Sequence, residues 1–315
     1  MLGRRGLRVK VMQVLYGFEL NKDTQMGNLK IQLDRNHGLT IPLYLSFIYL
    51  MKEVAQYAMV DVAIKLSKYI VTEEDKKAST TIAANRIVKH FTENEILSNL
   101  IRKEKIQNYI TPEIVQTFYK KMTAKAKYKE YAALQNPTLE QDKEIIEYIF
   151  KKVFMSDTDL EQHLEGHFIN YDDDQMLLLH VLVKFAKQYT DEGDSEVFTS
   201  HISQWNNEKK FADDMLRFYY QNDKELEEIL QPNLQNWEIE RMAVTDTVLL
   251  KMALCELLYF PTIPVKVTIN EYIDLAKLYS TPRSKEFING VLDKTKINLL
   301  AEGKIKKQGR GLVDN

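Results

Sequence analysis

Cysteine is nearly absent: Cys255 is the only one, so no internal disulfide can staple the chain, which fits a reducing compartment. Glycine (11) and proline (7) are sparse in 315 residues, and no sustained alternation of apolar and polar residues survives along the sequence. Those shortages exclude collagenous and low-complexity classes and argue against a strand-rich fold. Long hydrophobic runs are missing too. The most apolar window, residues 39–51, is about half a membrane span and leads into Lys52 and Glu53, so it reads as a buried helix. A secretory leader pattern is also absent, and the expected location is the cytoplasm. P-loop, dinucleotide, GxSxG and Cys/His nucleophile patterns do not occur, so no enzymatic activity and no cofactor are expected.

What is present is helical periodicity and an uneven charge distribution. The net charge is −2, yet residues 1–10 carry Arg4, Arg5, Arg8 and Lys10 without an acid. From Lys277 onward nine basic residues face four acidic ones, which leaves the stretch between with a net charge of −11. Two basic ends around an acidic centre suit a polyanion held by both ends together.

Residues 4–20 form an amphipathic helix whose buried face is Val11, Val14, Leu15 and Phe18. Arg5, Arg8, Met12 and Tyr16 run up a neighbouring line, placing an aromatic ring on an arginine stripe that suits phosphates and an unpaired base. Residues 21–38 read as a polar connection, followed by a long helix from Thr40 to about Ile70. Its apolar positions include Leu45, Ile48, Tyr49, Met59 and Leu66. Shorter helices are expected at 82–90 and 94–105, and one longer helix at 112–133. The stretch 264–294 reads as two helices joined at Ser280-Thr281-Pro282, with Thr281 as N-cap and Pro282 at the first position. Thr268 and Glu271 have capping-box spacing, although the first helix of the pair can also start a turn earlier. Arg283 and Lys285 then lie in the first turn of the second helix, where the helix dipole disfavours cations and an anion relieves the cost. Phe287, Ile288, Val291 and Leu292 give that helix its packed face. Gly290 inside it implies a close helix crossing or the approach of a ligand.

An internal repeat links residues 144–176 with 210–242 at an offset of 66 residues. Asp157 matches Asp223, Leu160 matches Leu226, Glu161 matches Glu227 and Leu164 matches Leu230. Asn170-Tyr171 matches Asn236-Trp237, an Asn-aromatic corner ahead of a new helix, and a fainter copy includes Leu97, Ile101, Asn108 and Tyr109. His163 and His167 have zinc-ligand spacing but align with Ile229 and Asn233, and Asp172-Asp173-Asp174 aligns with Glu238-Ile239-Glu240. Helix-start chemistry explains those acids, and no metal site is expected.

Two blocks resemble the NusB family of transcription antitermination factors. The first is RRGLRVKVMQVLY (4–16); the second, from about residue 211 to 294, contains LLKMALCELLY, VKVTINEYIDLAK and KEFINGVLDK. The resemblance implies an all-α fold of NusB-like helical bundles, here with additional repeated helical hairpins. Residues 1–22 with 196–315 would form the RNA-binding domain and 23–195 an extra helical region. It further implies binding of boxA-type single-stranded RNA with NusE, a small-subunit ribosomal protein, in the antitermination complex with RNA polymerase that acts on ribosomal RNA. The RNA-binding residues it suggests, together with the charge pattern, are Arg4, Arg5, Arg8, Tyr16, Lys251, Arg283, Lys285, Phe287 and Asn289. Gly6, Val9 and Arg283 depart from the family pattern. Two other readings compete: a helical protein-interaction scaffold, and an accessory partner of an rRNA-modifying enzyme.

Overall fold

A computed structural model of the chain describes residues 3–190, 207–234 and 242–312. Among these residues there are fourteen α-helices and no strand. They are α1 (Arg4–Leu20), α2 (Met26–Leu66), α3 (Arg86–Glu93), α4 (Glu95–Lys103), α5 (Pro112–Thr123), α6 (Ala126–Ala132) and α7 (Leu139–Ile149). Then follow α8 (Thr158–Glu165), α9 (Tyr171–Gln188), α10 (Lys209–Gln221), α11 (Asp223–Leu230), α12 (Val244–Tyr259), α13 (Val265–Tyr279) and α14 (Ser284–Ala301). The chain divides into two compact units, one made of Gly38–Gln204 and the other of Gly3–His37 with Trp205–Asn315. The expected domain boundary at 195/196 lies outside the described residues, as does the Asn236-Trp237 corner.

In the unit of Gly38–Gln204, local capping chemistry sets the helix starts. Asn85 caps α3 by accepting from the backbone N–H of Ile87 at 2.9 Å, and its amide donates to the Tyr131 hydroxyl and the Asp142 carbonyl. Thr138 and Gln141 form a capping box at α7. The core is aliphatic and aromatic, with Phe91 stacked on Phe185 at 5.5 Å and Leu178, Val181 and Leu182 wholly buried.

Three helix readings need correction. The polar stretch 21–38 is not a connection throughout: α2 begins at Met26 and runs unbroken past Pro42 to Leu66. Leu29 and Leu33 supply the buried line that the surrounding polar residues obscure. The span 112–133 is two helices, broken between Thr123 and Ala126, and the helix expected from 82 starts at Arg86, behind the Asn85 cap. Of the apolar positions assigned to α2, Leu45 and Ile48 are buried while Met59 and Leu66 are exposed, because beyond Ala58 the helix leaves the core.

The repeat is visible in side-chain placement. Leu160 and Leu164 on α8, Leu226 and Leu230 on α11, and Leu97 and Ile101 on α4 are all buried. The aligned aspartates both pair with lysines, Asp157 with Lys121 and Asp223 with Lys22 and Lys251, but only Asp157 also caps its helix, through the Asp159 and Leu160 N–H groups. At the described corner, Asn170 uses its amide to donate to Asp174 at 2.5 Å, so it does not cap the helix with its side chain.

In the other unit, α1 is the central element, packed against α10 and α12, with α13 and α14 completing the bundle. Val11, Val14, Leu15 and Phe18 are buried as the periodicity requires. Helix α12 is buried along nearly its whole length, including Cys255, and burial pushes that thiol up.

Candidate nucleic-acid interface

Helix α13 begins at Val265, a turn ahead of Thr268, so the Thr268 hydroxyl is not a cap but donates to Glu256 at 2.9 Å. The fully buried Glu256 carboxylate also accepts from Arg8 through Nε at 2.8 Å and Nη2 at 2.7 Å, and from the Tyr272 hydroxyl at 3.3 Å. Burial opposes the Arg8 charge, but Glu256 outweighs it and holds the guanidinium above its ordinary pKa. Arg8 also stacks its guanidinium over Phe211 at 5.3 Å. Glu271 bridges outward: it touches Arg8 at 3.4 Å and accepts two bonds from Arg5, which additionally reaches Asp274 at 2.9 Å. Hydrogen bonding to Glu271 raises the Arg5 pKa despite partial burial. Arg4 is exposed and pairs with Glu208 at 2.7 Å.

Lys251 is wholly buried, its ammonium 2.5 Å from Asp223, 2.7 Å from Glu227 and 3.0 Å from Glu19. Desolvation disfavours that charge, and the hydrogen bonds it donates to Asp223 and Glu227 more than reverse the effect. Glu19 in turn accepts from the Tyr219 hydroxyl at 2.5 Å. Arg8 and Lys251, two of the nine residues singled out in sequence, thus sit inside the bundle as halves of ion networks. The sequence shows such cations but not the acids that face them: Glu256 and Glu19 come from more than 200 residues away, Asp223 and Glu227 from another helix. One signal was legible: Glu256 is a lone acid in the apolar run LLKMALCELLY, and a lone buried acid requires a partner.

The turn before α14 is fixed from below. Asp246, at the start of α12, accepts from Ser280 at 2.5 Å and from Ser284 at 2.7 Å, and Thr281 exchanges a hydrogen bond with Ser284 at 2.8 Å. The helix therefore starts at Ser284 with Arg283 at the cap, two residues later than the Thr281 cap expected from sequence. The serine hydroxyls satisfy Asp246, and Thr281 is drawn into that network.

Arg283 and Lys285 remain exposed at the N-terminal end of α14, where backbone N–H groups favour an anion. With 3.6 residues per turn, Lys285, Asn289 and Gly290 share the outer arc of the first two turns, Glu286 lies between them, and Phe287 sits half-buried at its edge. A Cβ added at Gly290 would meet open space, so no close helix crossing explains the glycine. Tyr16 is exposed on α1, at 42%. The nine residues therefore separate into a buried pair, two arginines in surface ion pairs, Tyr16 on α1, and four residues together at the start of α14.

In the unit of Gly38–Gln204, His163 and His167 stand with ring centroids 4.9 Å apart, but His163 Nε2 is engaged by the Tyr109 carbonyl at 2.6 Å. Glu161, Glu165 and Asp172 bring carboxylate oxygens within 4.8 Å of one another, and Asp172 holds the Glu165 carboxyl above its usual range.

The profile of the NusB family matches residues 177–296. Proteins named transcription antitermination protein NusB are similar to this chain. That of Salinibacter ruber is 44% identical over 105 residues, 33% of this chain and 66% of the relative. That of Chloroherpeton thalassium is 41% identical over 106 residues, 34% of this chain and 50% of the relative. That of Bacillus mycoides is 37% identical over 90 residues, 29% of this chain and 69% of the relative. The chain thus spans between half and about two thirds of the relatives' lengths. No solved structure matches it.

Proposed function

The chain belongs to the NusB family, and on that premise we propose that its unit of Gly3–His37 with Trp205–Asn315 binds boxA-type single-stranded RNA. It does so together with NusE, in the antitermination complex with RNA polymerase in the cytoplasm, and catalyses no reaction. The observation that carries this reading is the start of α14, where the exposed Arg283 and Lys285 stand at the helix N-terminus and Asn289, Phe287 and the open face of Gly290 follow. Phosphates bind the cations and the helix N-terminus, a base stacks on Phe287 or Tyr16, and Asn289 reads a base edge. Arg4 and Arg5 add phosphate contacts when RNA competes with Glu208, Glu271 and Asp274 for them. Arg8 and Lys251 contribute by holding α1 and α12 in place.

Four phosphates neutralised by Arg4, Arg5, Arg283 and Lys285 give a slope of about −3 for log affinity against log salt on a single strand. Titrating a short boxA-like RNA at several salt concentrations, with and without NusE, tests the reading; a slope near zero overturns it. A second reading, protein docking by the Gly38–Gln204 unit, is favoured by Met59, Val60 and Ile64, which leave an apolar stripe of α2 exposed.

A further inference from the structure

Beyond Ala58 the face of α2 that leaves the core stays apolar. Met59, Val60, Ile64 and Leu66 are each about half exposed, and Tyr69 and Ile70, just past the helix end, stand further out. Six exposed large apolar residues within twelve positions are a patch, not the scattered exposure of an ordinary surface. The neighbouring row of α2 is occupied. Tyr57 packs its ring on Tyr119 of α5 at 5.0 Å, and Asp61 accepts from the Tyr119 hydroxyl at 2.8 Å and from Lys65 at 2.7 Å. Val60 and Ile64 lie three residues on from Tyr57 and Asp61, so the exposed stripe starts one row away from the seat of α5. Helix α6 shares that seat: Tyr128 is buried, and after burial itself the Asp61 charge does most to raise its phenol pKa.

The same α5–α6 corner carries a run of cations. From Ile114 to Lys129 there are five lysines and no acid. Lys121 turns to Asp157 and Asp159, both at 2.7 Å, and Lys127 to Glu144 at 3.2 Å. Lys120, Lys125 and Lys129 are exposed and take no acid among the described residues. Lys120 and Lys129 directly follow Tyr119 and Tyr128, the two rings seated beside α2, so their Cα atoms stand about 3.8 Å from anchored ones. Lys125 and Lys129 repel each other at a spacing of four, a cost that no acid among the described residues offsets.

An apolar stripe beside uncompensated lysines fits a partner that is apolar on one face and acidic at its edge. A second copy of this chain is a poor fit, because a two-fold contact brings the same lysines together. A bilayer or a long nucleic acid fits no better. Residues 130–174 of this unit carry twelve acids against three bases, an excess that repels an extended polyanion. Only Tyr69 among the six exposed residues offers a ring for a base to stack on. A single helix, about 10 Å wide, can lie on the stripe and the lysine edge without spanning the rest of the unit.

We infer that the end of α2 and the α5–α6 corner form a docking surface for an acidic amphipathic helix of another protein. The inference gives a partner to the protein-docking reading of the α2 stripe and rests on that reading; it does not depend on RNA binding.

A labelled synthetic peptide of about 18 residues, with leucines at helical spacing on one face and glutamates elsewhere, titrated with the full-length chain tests it. Saturable binding that salt weakens is expected, with the glutamine version of the peptide at least about tenfold weaker. Lys120→Glu combined with Lys125→Glu and Lys129→Glu should abolish that preference, and Ile64→Asp should remove binding of both peptides. All four positions are exposed, and thermal melts check that the variants stay folded. If both peptides bind the wild type equally, the stripe docks partners but the lysines do not select them, and the inference falls alone. If neither binds, the docking reading falls with it. Self-association in sedimentation that Ile64→Asp removes would assign the face to a second copy. Tighter binding of anionic vesicles or single-stranded RNA through the same lysines would assign it to a polyanion; either result overturns the inference.

Discussion

Arg8 and Glu256 meet in a two-bond fork, at 2.8 and 2.7 Å, across 248 residues of sequence. Removing one partner leaves the other charged in a dry core, so Glu256→Ala should cost about 3–5 kcal/mol in chemical denaturation. Arg8→Met combined with Glu256→Met removes both charges and should cost much less than the single change. Equal losses would mean that packing, and not the pair, dominates.

Lys251 neutralises three acids from α1 and α11, and Lys251→Met should destabilise by a similar amount. Burial works to raise the pKa of Asp223, but Lys22 and Lys251 more than offset it and hold the carboxyl below its ordinary 3.8. Its contribution is present above about pH 3.8 and disappears as pH falls through the depressed value. Urea midpoints at pH 7 and pH 3 should therefore differ more for the wild type than for Lys251→Met.

Lys307 donates to the carbonyls of Glu256 and Phe260 near the C-terminal end of α12, and burial lowers its pKa to about 8, Glu256 partly offsetting the drop. Between pH 8 and about 10.5 the unfolded chain binds more protons at this position than the folded one, so this group favours folding increasingly as pH rises. Melting temperatures of the wild type should gain on those of Lys307→Met across that window; a constant difference would show that Lys307 is not neutralised there.

Gly290 lies on an open helix face, and Gly290→Ala should add about 1 kcal/mol of stability. If RNA backbone approaches this face, the same methyl weakens binding. Higher melting temperature with reduced RNA affinity is expected; unchanged affinity would remove Gly290 from the interface.

Asp246 accepts from Ser280 and Ser284, and Asp246→Ala leaves both hydroxyls without their charged acceptor. The expected loss is about 1.5–3 kcal/mol, measured by denaturation. RNA affinity should fall further than Arg283→Gln alone makes it fall, because the whole turn loosens.

Helical character and the core face of α1 were legible because Val11, Val14, Leu15 and Phe18 repeat at helical spacing and nothing competes with that pattern. The first turns of α2 were not, since Leu29 and Leu33 are the only apolar residues holding a polar segment in place. The start of α14 was misplaced because Asp246, from another helix, sets it. Arg8 and Lys251 carry the same lesson: a cation's role depends on what faces it, and Glu256 and Glu19 arrive from distant stretches while Asp223 comes from a neighbouring helix. The convergence of Glu161, Glu165 and Asp172 was not legible because the repeat gave the acids at the start of α9 a helix-start reading, and the three carboxylates meet only once α8 turns into α9.

The placing of α1 also bears on how the protein is made. At roughly 5–20 residues per second, Glu256 leaves the ribosome about 12–50 s after Arg8. For most of that interval the apolar face of α1 has neither α10 nor α12 to cover it, and the continuous stretch Gly38–Gln204 is finished before either helix is made. The nascent chain must shelter its own beginning until its end is synthesised, which makes the first helix a natural client for a ribosome-bound chaperone.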